Sequence, residues 1–190
     1  MRTFYHWGEE YIVSFDFEAN QAMSPSTVTN ILHLSIDGAW GKYGDRIPAV
    51  FARQLSSSEQ IIEFRAALSG KNEIPFDYSY QLNTPYHIEI SQLKNNDIVT
   101  YSIQIDNLQV YSTVNTDVQV FQTAKLYLTS PWELNFGDYG TVRNLLVESC
   151  TAATNTAATT ITTTTTTTTS CPNCTDISTV AAHLRAAALS

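Results

Sequence analysis

Two acidic side chains stand in a spacing that could support glycoside cleavage. Asp16 and Glu18 are two residues apart in segment 11–18, where apolar and polar residues alternate, so a β-strand would place both carboxylates on one face. Retaining glycosidases use two carboxyl groups about 5–5.5 Å apart, one as nucleophile and one as acid/base. Retaining glycosidases with β-sandwich folds usually carry a third acid two residues before the first one. In this chain that position is Ser14. We therefore favour the simpler interpretation, in which Ser14, Asp16 and Glu18 form the solvent face of a half-buried strand.

The three cysteines offer a second kind of chemistry. Cys171 and Cys174 form a Cys-x-x-Cys pair, which is compatible with a redox motif or with half of a zinc site. A redox motif needs a βαβ context, and a zinc site would need Cys150 and His183 as an improvised pair of further ligands. Disulfide pairing in a secreted protein, with one cysteine left over, is the favoured interpretation. Asn173 also begins an Asn-x-Thr sequon for N-glycosylation.

The histidines carry no recognisable catalytic motif. His33 lies within an apolar segment and is predicted to be a hydrogen-bonded core residue. His87 precedes an alternating segment and is predicted to face solvent or a neighbouring strand. Neither has a sequence-adjacent partner that suggests catalysis or metal binding, and the chain contains no nucleophile elbow, zinc-protease motif or phosphate-binding loop.

Residues in the predicted loops could bind a ligand. Aromatic rings beside turns can stack on sugars, while aspartate and asparagine accept hydrogen bonds from hydroxyl groups. A structural interpretation competes with this one, because Trp132 could plug the end of the fold and Asp45 with Arg46 could form an ion pair or turn clamp. The predicted binding residues are Trp40, Tyr43, Asp45, Arg46, Asn115 and Trp132.

The segments that must position these residues are short β-strands separated by turns. Turn chemistry occurs at Asp37-Gly38, at 69–72, at 94–97 and at Asp106-Asn107, and the last two predict a hairpin of 98–105 with 108–114. Segment 61–68 also has the propensity of a short helix. The pattern predicts an all-β fold, an antiparallel two-sheet sandwich or jelly roll. Its strands are predicted at 11–18, 30–36, 49–52, 61–68, 87–93, 98–105, 108–114, 124–128 and 142–148.

The C-terminal part of the chain differs in composition. Residues 151–169 are almost entirely threonine and alanine, with eight consecutive threonines at 162–169, and such a segment buries too little apolar surface to offset the entropy of ordering. It is either an O-glycosylated, mucin-like stalk or a repeat without function. The Ala/Leu-rich segment 180–189 could form a short helix. We predict a sandwich domain at 5–149, a disordered Thr-rich linker at 150–175 and a short tail at 176–190.

Charge and hydropathy exclude several functions. The 190-residue chain has a net charge of −8 and no basic run, which argues against binding to nucleic acid or anionic membranes. No apolar run is long enough to span a bilayer, so no membrane insertion is expected of this chain. The N-terminus lacks the apolar region of a secretory signal, while a core strand begins at residue 11. We therefore expect a truncated sequence or one part of a longer protein.

Several segments, in this order and spacing, identify a family. They are NILHL (30–34), KYGDRIPAVF (42–51), HIEISQ (87–92), VNT (114–116), SPW (130–132) and VRNL (142–145). Together they resemble the domain named after farnesoic acid O-methyltransferase, over nearly all of 11–147. The resemblance implies a concanavalin A-like or laminin-G-like sandwich and an extracellular or cell-surface, lectin-like module that recognises a glycan or a protein. Because such sandwiches often hold calcium near a loop edge, it also makes calcium a possible ion, with candidate oxygen ligands on Asp37, Asp45, Asp106 and Asn115.

The family name also suggests an S-adenosylmethionine-dependent methyltransferase. Such a donor normally binds a Gly-rich turn between a parallel strand and a helix. The glycine cluster Gly38, Gly41 and Gly44 is followed by no helix-forming segment, and its surroundings are predicted to be antiparallel. We therefore predict a protein that is not an enzyme and has no resident cofactor, with methyl transfer as the alternative. A third interpretation is a structural spacer domain in a larger surface protein.

Overall fold

The computed structural model describes residues 1–38, 40–128, 132, 134–150 and 180–182, and these form a β-sandwich. The described regular structure consists of β-strands and a single 3₁₀ turn, which confirms the predicted fold class. The strands are β1 (Arg2–Trp7), β2 (Glu10–Ala19), β3 (Val28–Ser35), β4 (Ala49–Gln54), β5 (Gln60–Leu68), β6 (Lys71–Ser79), β7 (Tyr86–Asn95), β8 (Ile98–Ile105), β9 (Leu108–Val114), β10 (Phe121–Tyr127), β11 (Leu134–Asn135), β12 (Gly140–Cys150) and β13 (Val180–Ala182); the 3₁₀ turn is Phe136–Asp138.

The strands form two sheets. The first sheet has the order β1-β10-β3-β4-β5-β6, with β11 beside β3, and the second has the order β13-β12-β2-β7-β8-β9. The pairings are antiparallel except for that of β11 with β3. Non-consecutive neighbours such as β2 and β7 or β2 and β12 bring distant parts of the sequence side by side. The second sheet carries the candidate site.

The core lies between the sheets and follows from the period-two pattern of the strands. On β2, Val13, Phe15 and Phe17 are fully buried and contribute to one continuous apolar cluster. Val50 of β4 and Phe64 of β5 enter the same cluster from the first sheet. Alternation then leaves Asp16 and Glu18 on the outer face of the second sheet, as predicted.

Tight turns fix the registers of the hairpins. Asn96-Asp97 joins β7 to β8 and Asp106-Asn107 joins β8 to β9, and all four residues have positive φ. Two consecutive left-handed residues are typical of the two-residue turns whose twist matches that of a hairpin. The predicted hairpin of 98–105 with 108–114 is confirmed.

Three sequence expectations about the strands need correction. Residues 60–68 form strand β5, so the alternative of a short helix there is wrong. Strand β1 begins at Arg2, before the predicted domain start at residue 5. Strand β6 was not predicted, because its sequence contains Pro75 and several charged residues; β6 lies at the edge of its sheet, where proline is tolerated.

The end of the domain also differs from the expectation. Cys150 is the last residue of β12 and is 2% exposed, so it belongs to the sandwich and not to the linker. Val180–Ala182 forms a strand paired with Leu145–Val147, so the predicted helix is wrong for these three residues. Residues 151–179 and 183–190, which include Cys171, Asn173, Cys174 and His183, lie outside the described residues. Among the described residues, no helix has the length and apolar character needed to cross a membrane.

Candidate functional site

A groove of about 300 Å³ opens on the outer face of the second sheet. Strands β2, β7 and β12 form its floor, and the Asp106 turn closes one side. Its polar lining consists of Asp16, Glu18, His87, Asp106, Thr141 and Arg143. Four of these residues were considered at sequence level in three separate contexts: Asp16 and Glu18 as an acid pair, His87 as a histidine and Asp106 as a calcium ligand. The fold brings all four together.

Strand register explains why these side chains meet. Asp16 on β2 is directly opposite His87 on β7 and directly opposite Arg143 on β12. Side chains at directly opposed positions point to the same face with their Cβ atoms about 4.5–5.5 Å apart. Glu18, two residues along β2, is opposite Thr141. The alternating pattern of β2 therefore places its two acids at the centre of a polar surface that spans three strands.

The Asp16 carboxylate is held from both sides. Its Oδ1 atom lies 2.7 Å from Nδ1 of His87, and its Oδ2 atom accepts a hydrogen bond of 2.5 Å from Nδ2 of Asn144. The Asp16 side chain remains 35% exposed and that of His87 44% exposed. When the imidazole is neutral, Nδ1 donates to Asp16 and Nε2 is the ring nitrogen that can accept from a ligand. The result is a fixed and accessible carboxylate–imidazole pair.

A β-bulge brings Asn144 to Asp16. The register of β12 against β2 shifts between Arg143 and Leu146, so that two residues on β12 face one on β2. Asn144 has a φ of 52°, a left-handed conformation that asparagine tolerates better than most residues. The bulge lets Leu145 enter the core, where it is 3% exposed, while Asn144 contacts the outer face.

The rim of the groove carries further charged groups. Nη2 of Arg143 lies 3.5 Å from Oε2 of Glu18. Oδ1 of Asp106 accepts a hydrogen bond of 2.8 Å from the backbone N–H of His87, which ties the β8–β9 turn to β7. These contacts orient the carboxylates and leave part of their acceptor capacity for hydroxyl groups.

Two residues of the predicted binding set are structural clamps. Asp45 is 3% exposed, its Oδ2 accepts a hydrogen bond of 2.8 Å from the Lys42 backbone N–H, and its carbonyl oxygen contacts His33 Nε2 at 2.6 Å. Asn115 is 5% exposed, and its Oδ1 accepts from the Ser69 N–H at 2.8 Å. The turn-clamp alternative considered for Asp45 agrees with this geometry.

The remaining residues of that set occupy other surroundings. Trp40 is 77% exposed. The Tyr43 hydroxyl donates to the Asp117 carbonyl oxygen at 3.0 Å. The Trp132 ring is 40% exposed, with its centroid 5.4 Å from that of His33. The Arg46 guanidinium lies 5.0 Å from the centroid of the Phe51 ring. The set of six loop residues therefore contributes nothing to the lining of the groove.

His33 is the buried histidine that the sequence predicted. It is 1% exposed, and its Nε2 contacts the Asp45 carbonyl oxygen. Burial lowers the pKa of His33 to about 4, since the charged imidazolium is poorly solvated there. At neutral pH, Nε2 therefore carries its proton towards the carbonyl oxygen and donates the hydrogen bond. This histidine stabilises the base of the loop at 42–51.

The described residues include most of the candidate metal ligands and one of the three cysteines. In the described ranges there is no group of three or more His, Cys, Asp or Glu side chains placed to hold a metal. Among the four calcium candidates, Asp45 and Asn115 are held in the clamps above and Asp37 lies 3.5 Å from Lys125 Nζ, so calcium stays a prediction. Cys150 is disulfide-bonded.

Sequence reasoning missed His87, Asp106, Arg143 and Asn144 as members of one site. His87 was considered only for sequence-adjacent partners, whereas its partner Asp16 is 71 residues away. Asn144 is 128 residues from Asp16. The available signal was the alternation of β2 and β7, which predicts which side chains share a face but not which strands pair.

Comparisons with known proteins support the fold. No family model and no curated protein matches the chain. Tailspike protein 2 of the Escherichia coli O157:H7 bacteriophage CAB120 superposes with a TM-score of 0.50, at 14% identity over 77% of this chain and 21% of that protein. A SAP-like pentraxin from Limulus polyphemus gives a TM-score of 0.49, at 9% identity over 77% of this chain and 66% of that one.

An alginate lyase from Alteromonas sp. 272 gives a TM-score of 0.42, at 11% identity over 63% of this chain and 51% of the lyase. The chain thus spans less than two thirds of the length of each of these three proteins. Likeness at these identities concerns the arrangement of strands alone. The site itself must be interpreted from its own residues, which lie on a two-sheet β-sandwich.

Proposed function

We propose that this domain is an extracellular, lectin-like recognition module that binds a glycan in the groove formed by β2, β7 and β12. The observation that carries the proposal is the Asp16 carboxylate, fixed by His87 and Asn144 in an accessible groove. Sugar recognition needs polar groups held in advance at fixed positions, because each freely moving side chain would lose conformational entropy on binding.

The chemistry of the lining suits hydroxyl groups. Asp16, Glu18 and Asp106 supply acceptors, Arg143 supplies donors, and Nε2 of neutral His87 supplies a further acceptor. The cavity volume of about 300 Å³ is at the lower end of the range for small-molecule sites, roughly 300–1,000 Å³. A groove of this size on an open sheet face suits one part of a longer oligosaccharide whose remainder stays in solvent.

The extracellular assignment rests on two points. Cys150 is disulfide-bonded, and disulfides persist mainly in oxidising compartments. The second point is the resemblance of segments 30–34, 42–51 and 142–145 to the domain named after farnesoic acid O-methyltransferase. Membership of that family is part of the proposal.

We favour glycan binding over methyl transfer because other side chains of the protein already pack against the glycines of the glycine-rich loop. A Cβ on Gly38 would lie 2.8 Å from Asp45 Oδ1, and a Cβ on Gly44 would lie 2.8 Å from the Phe121 ring. These glycines permit close internal packing, which is a different use from a cradle for a methyl donor. Titration calorimetry of the full chain with S-adenosylmethionine is expected to give no binding heat. Saturable binding there would favour the methyltransferase alternative.

A glycan array followed by calorimetric titration with the best oligosaccharide tests the proposal. We expect Asp16→Ala to weaken binding about tenfold, since it removes a fixed acceptor worth roughly one charged hydrogen bond. Asp97→Asn is the control, because Asp97 lies in the turn at the other end of β7, its side chain is 94% exposed, and asparagine tolerates the positive φ of that position. Absence of any array signal, or equal effects of the two substitutions, would overturn the proposal.

A further inference from the structure

The groove carries an excess of negative charge. Three carboxylates, Asp16, Glu18 and Asp106, face one guanidinium, Arg143, and one imidazole, His87. With His87 neutral the lining has a net charge of −2, and with His87 protonated it is still −1. Glu89, opposite Ser14 on the next outward-facing position of β7, adds to the same face.

The positive charge in the groove is already compensated. Arg143 Nη2 lies 3.5 Å from Glu18 Oε2, so an incoming anion would have to compete with that carboxylate. His87 Nδ1 is likewise engaged by Asp16 Oδ1. The chain as a whole has a net charge of −8, which adds a repulsive field of longer range.

The carboxylates are also oriented by donors of the protein. Asp16 accepts from His87 and Asn144, and Asp106 accepts from the His87 backbone N–H. Each carboxylate oxygen has further lone pairs, which suit the hydroxyl groups of a sugar. A neutral hydroxyl group can use these acceptors without the cost of bringing another negative charge beside them.

We infer that the groove selects neutral oligosaccharides and discriminates against those with sialic acid, sulfate or uronic acid at the contacting position. This inference rests on the proposed function, since it assigns a ligand class to the same groove. We expect each negative charge of the groove that faces an acidic sugar to reduce the affinity of the groove for that sugar roughly threefold at low salt. The reduction becomes smaller as added salt screens the repulsion.

Matched pairs of glycans test this selectivity in the full chain. The probes are N-glycans that end in galactose and the same glycans capped with sialic acid, titrated at low and at moderate salt. The measured quantity is the ratio of the affinities for the neutral and the acidic member. Glu18→Gln removes one groove charge with little change of shape, and Asp97→Asn removes one exposed charge at the far end of the same sheet.

We expect the neutral glycan of each pair to bind more tightly than the sialylated one. The ratio of their affinities should become smaller as salt is added. We also expect Glu18→Gln to reduce this ratio of affinities roughly threefold and Asp97→Asn to leave it unchanged. Equal or tighter binding of the sialylated member overturns the inference while the proposed glycan binding stands. If no glycan binds at all, the proposed function itself fails and the inference fails with it.

Discussion

Asp16 on β2 and His87 on β7 face each other across neighbouring strands, with Oδ1 of the first 2.7 Å from Nδ1 of the second. The pair is half-exposed, so solvent weakens its contribution to folding. Asn144 holds the other oxygen of the same carboxylate. We therefore expect this contact to contribute little to stability, and under the proposed function its role is to fix two polar groups in the groove.

The first prediction separates these two roles. In a double-mutant cycle of Asp16→Ala and His87→Ala, urea unfolding should give a coupling free energy below about 1 kcal/mol, because exposed pairs contribute little. Each single substitution should nevertheless weaken binding of the array-selected glycan about tenfold. A coupling free energy of several kcal/mol, with glycan affinity unchanged, would assign the pair a purely structural role.

The second prediction concerns the pH dependence of stability through His33. Burial lowers its pKa in the folded protein to about 4, below the ordinary value of about 6.5, so the unfolded chain binds the proton more readily. The contribution of His33 to stability is therefore complete above about pH 6.5 and is lost as the pH falls towards 4. The expected loss is about 3 kcal/mol.

Carboxylates also titrate as the pH falls towards 4, but they are the same in the wild type and in the His33→Gln variant. The difference in unfolding free energy between the two proteins therefore isolates the effect of His33. Glutamine retains a donor for the Asp45 carbonyl oxygen but does not titrate. Urea unfolding at pH 7.5, 5.5 and 4 should show the advantage of the wild type shrinking by about 3 kcal/mol over that range. An advantage that is independent of pH would contradict the argument.

The third prediction compares Gly44, which lies in the loop at 42–51, with Gly41, which directly precedes that loop. Gly41 and Gly44 both have positive φ, at 110° and 97°. A Cβ on Gly41 has no neighbour within 4 Å, whereas a Cβ on Gly44 would lie 2.8 Å from Phe121 and 3.0 Å from Ile36. Gly41→Ala should therefore cost only backbone strain, about 1–2 kcal/mol.

Gly44→Ala should cost the same backbone strain and, in addition, about 1–3 kcal/mol for displaced side chains. The free energies of unfolding are measured with urea at constant pH, with the m-value as a check that both variants unfold in the same way. Equal losses for the two substitutions would mean that Phe121 and Ile36 move aside without cost.

The outer face of the candidate site was largely predictable from sequence. Alternation in 11–18 assigns Val13, Phe15 and Phe17 to the core and leaves Asp16 and Glu18 on the opposite face, as observed. The hairpin at Asp106-Asn107 was predictable as well, because residues that tolerate positive φ stand between two β segments. Both predictions depend on local backbone geometry.

Other features were beyond local reasoning. Strand β6 escaped prediction because proline disfavours a central strand, and only the tertiary arrangement shows that β6 is an edge. The bulge at Asn144 also left no clear signal, since its effect depends on the register of β12 against β2. The aromatic loop residues were chosen for chemistry alone, and their positions in the fold separate them from the groove.

The sequence by itself determined the class of fold, the buried face of β2, the tight turns and the role of His33 as a buried histidine. These follow from side-chain alternation and from the backbone preferences of neighbouring residues. Only the tertiary structure decided that Asp16 meets His87 and Asn144. The physical reason is that strand pairing is non-local: β2 lies between β7 and β12, and a shift of one residue in either register would move these side chains to opposite faces.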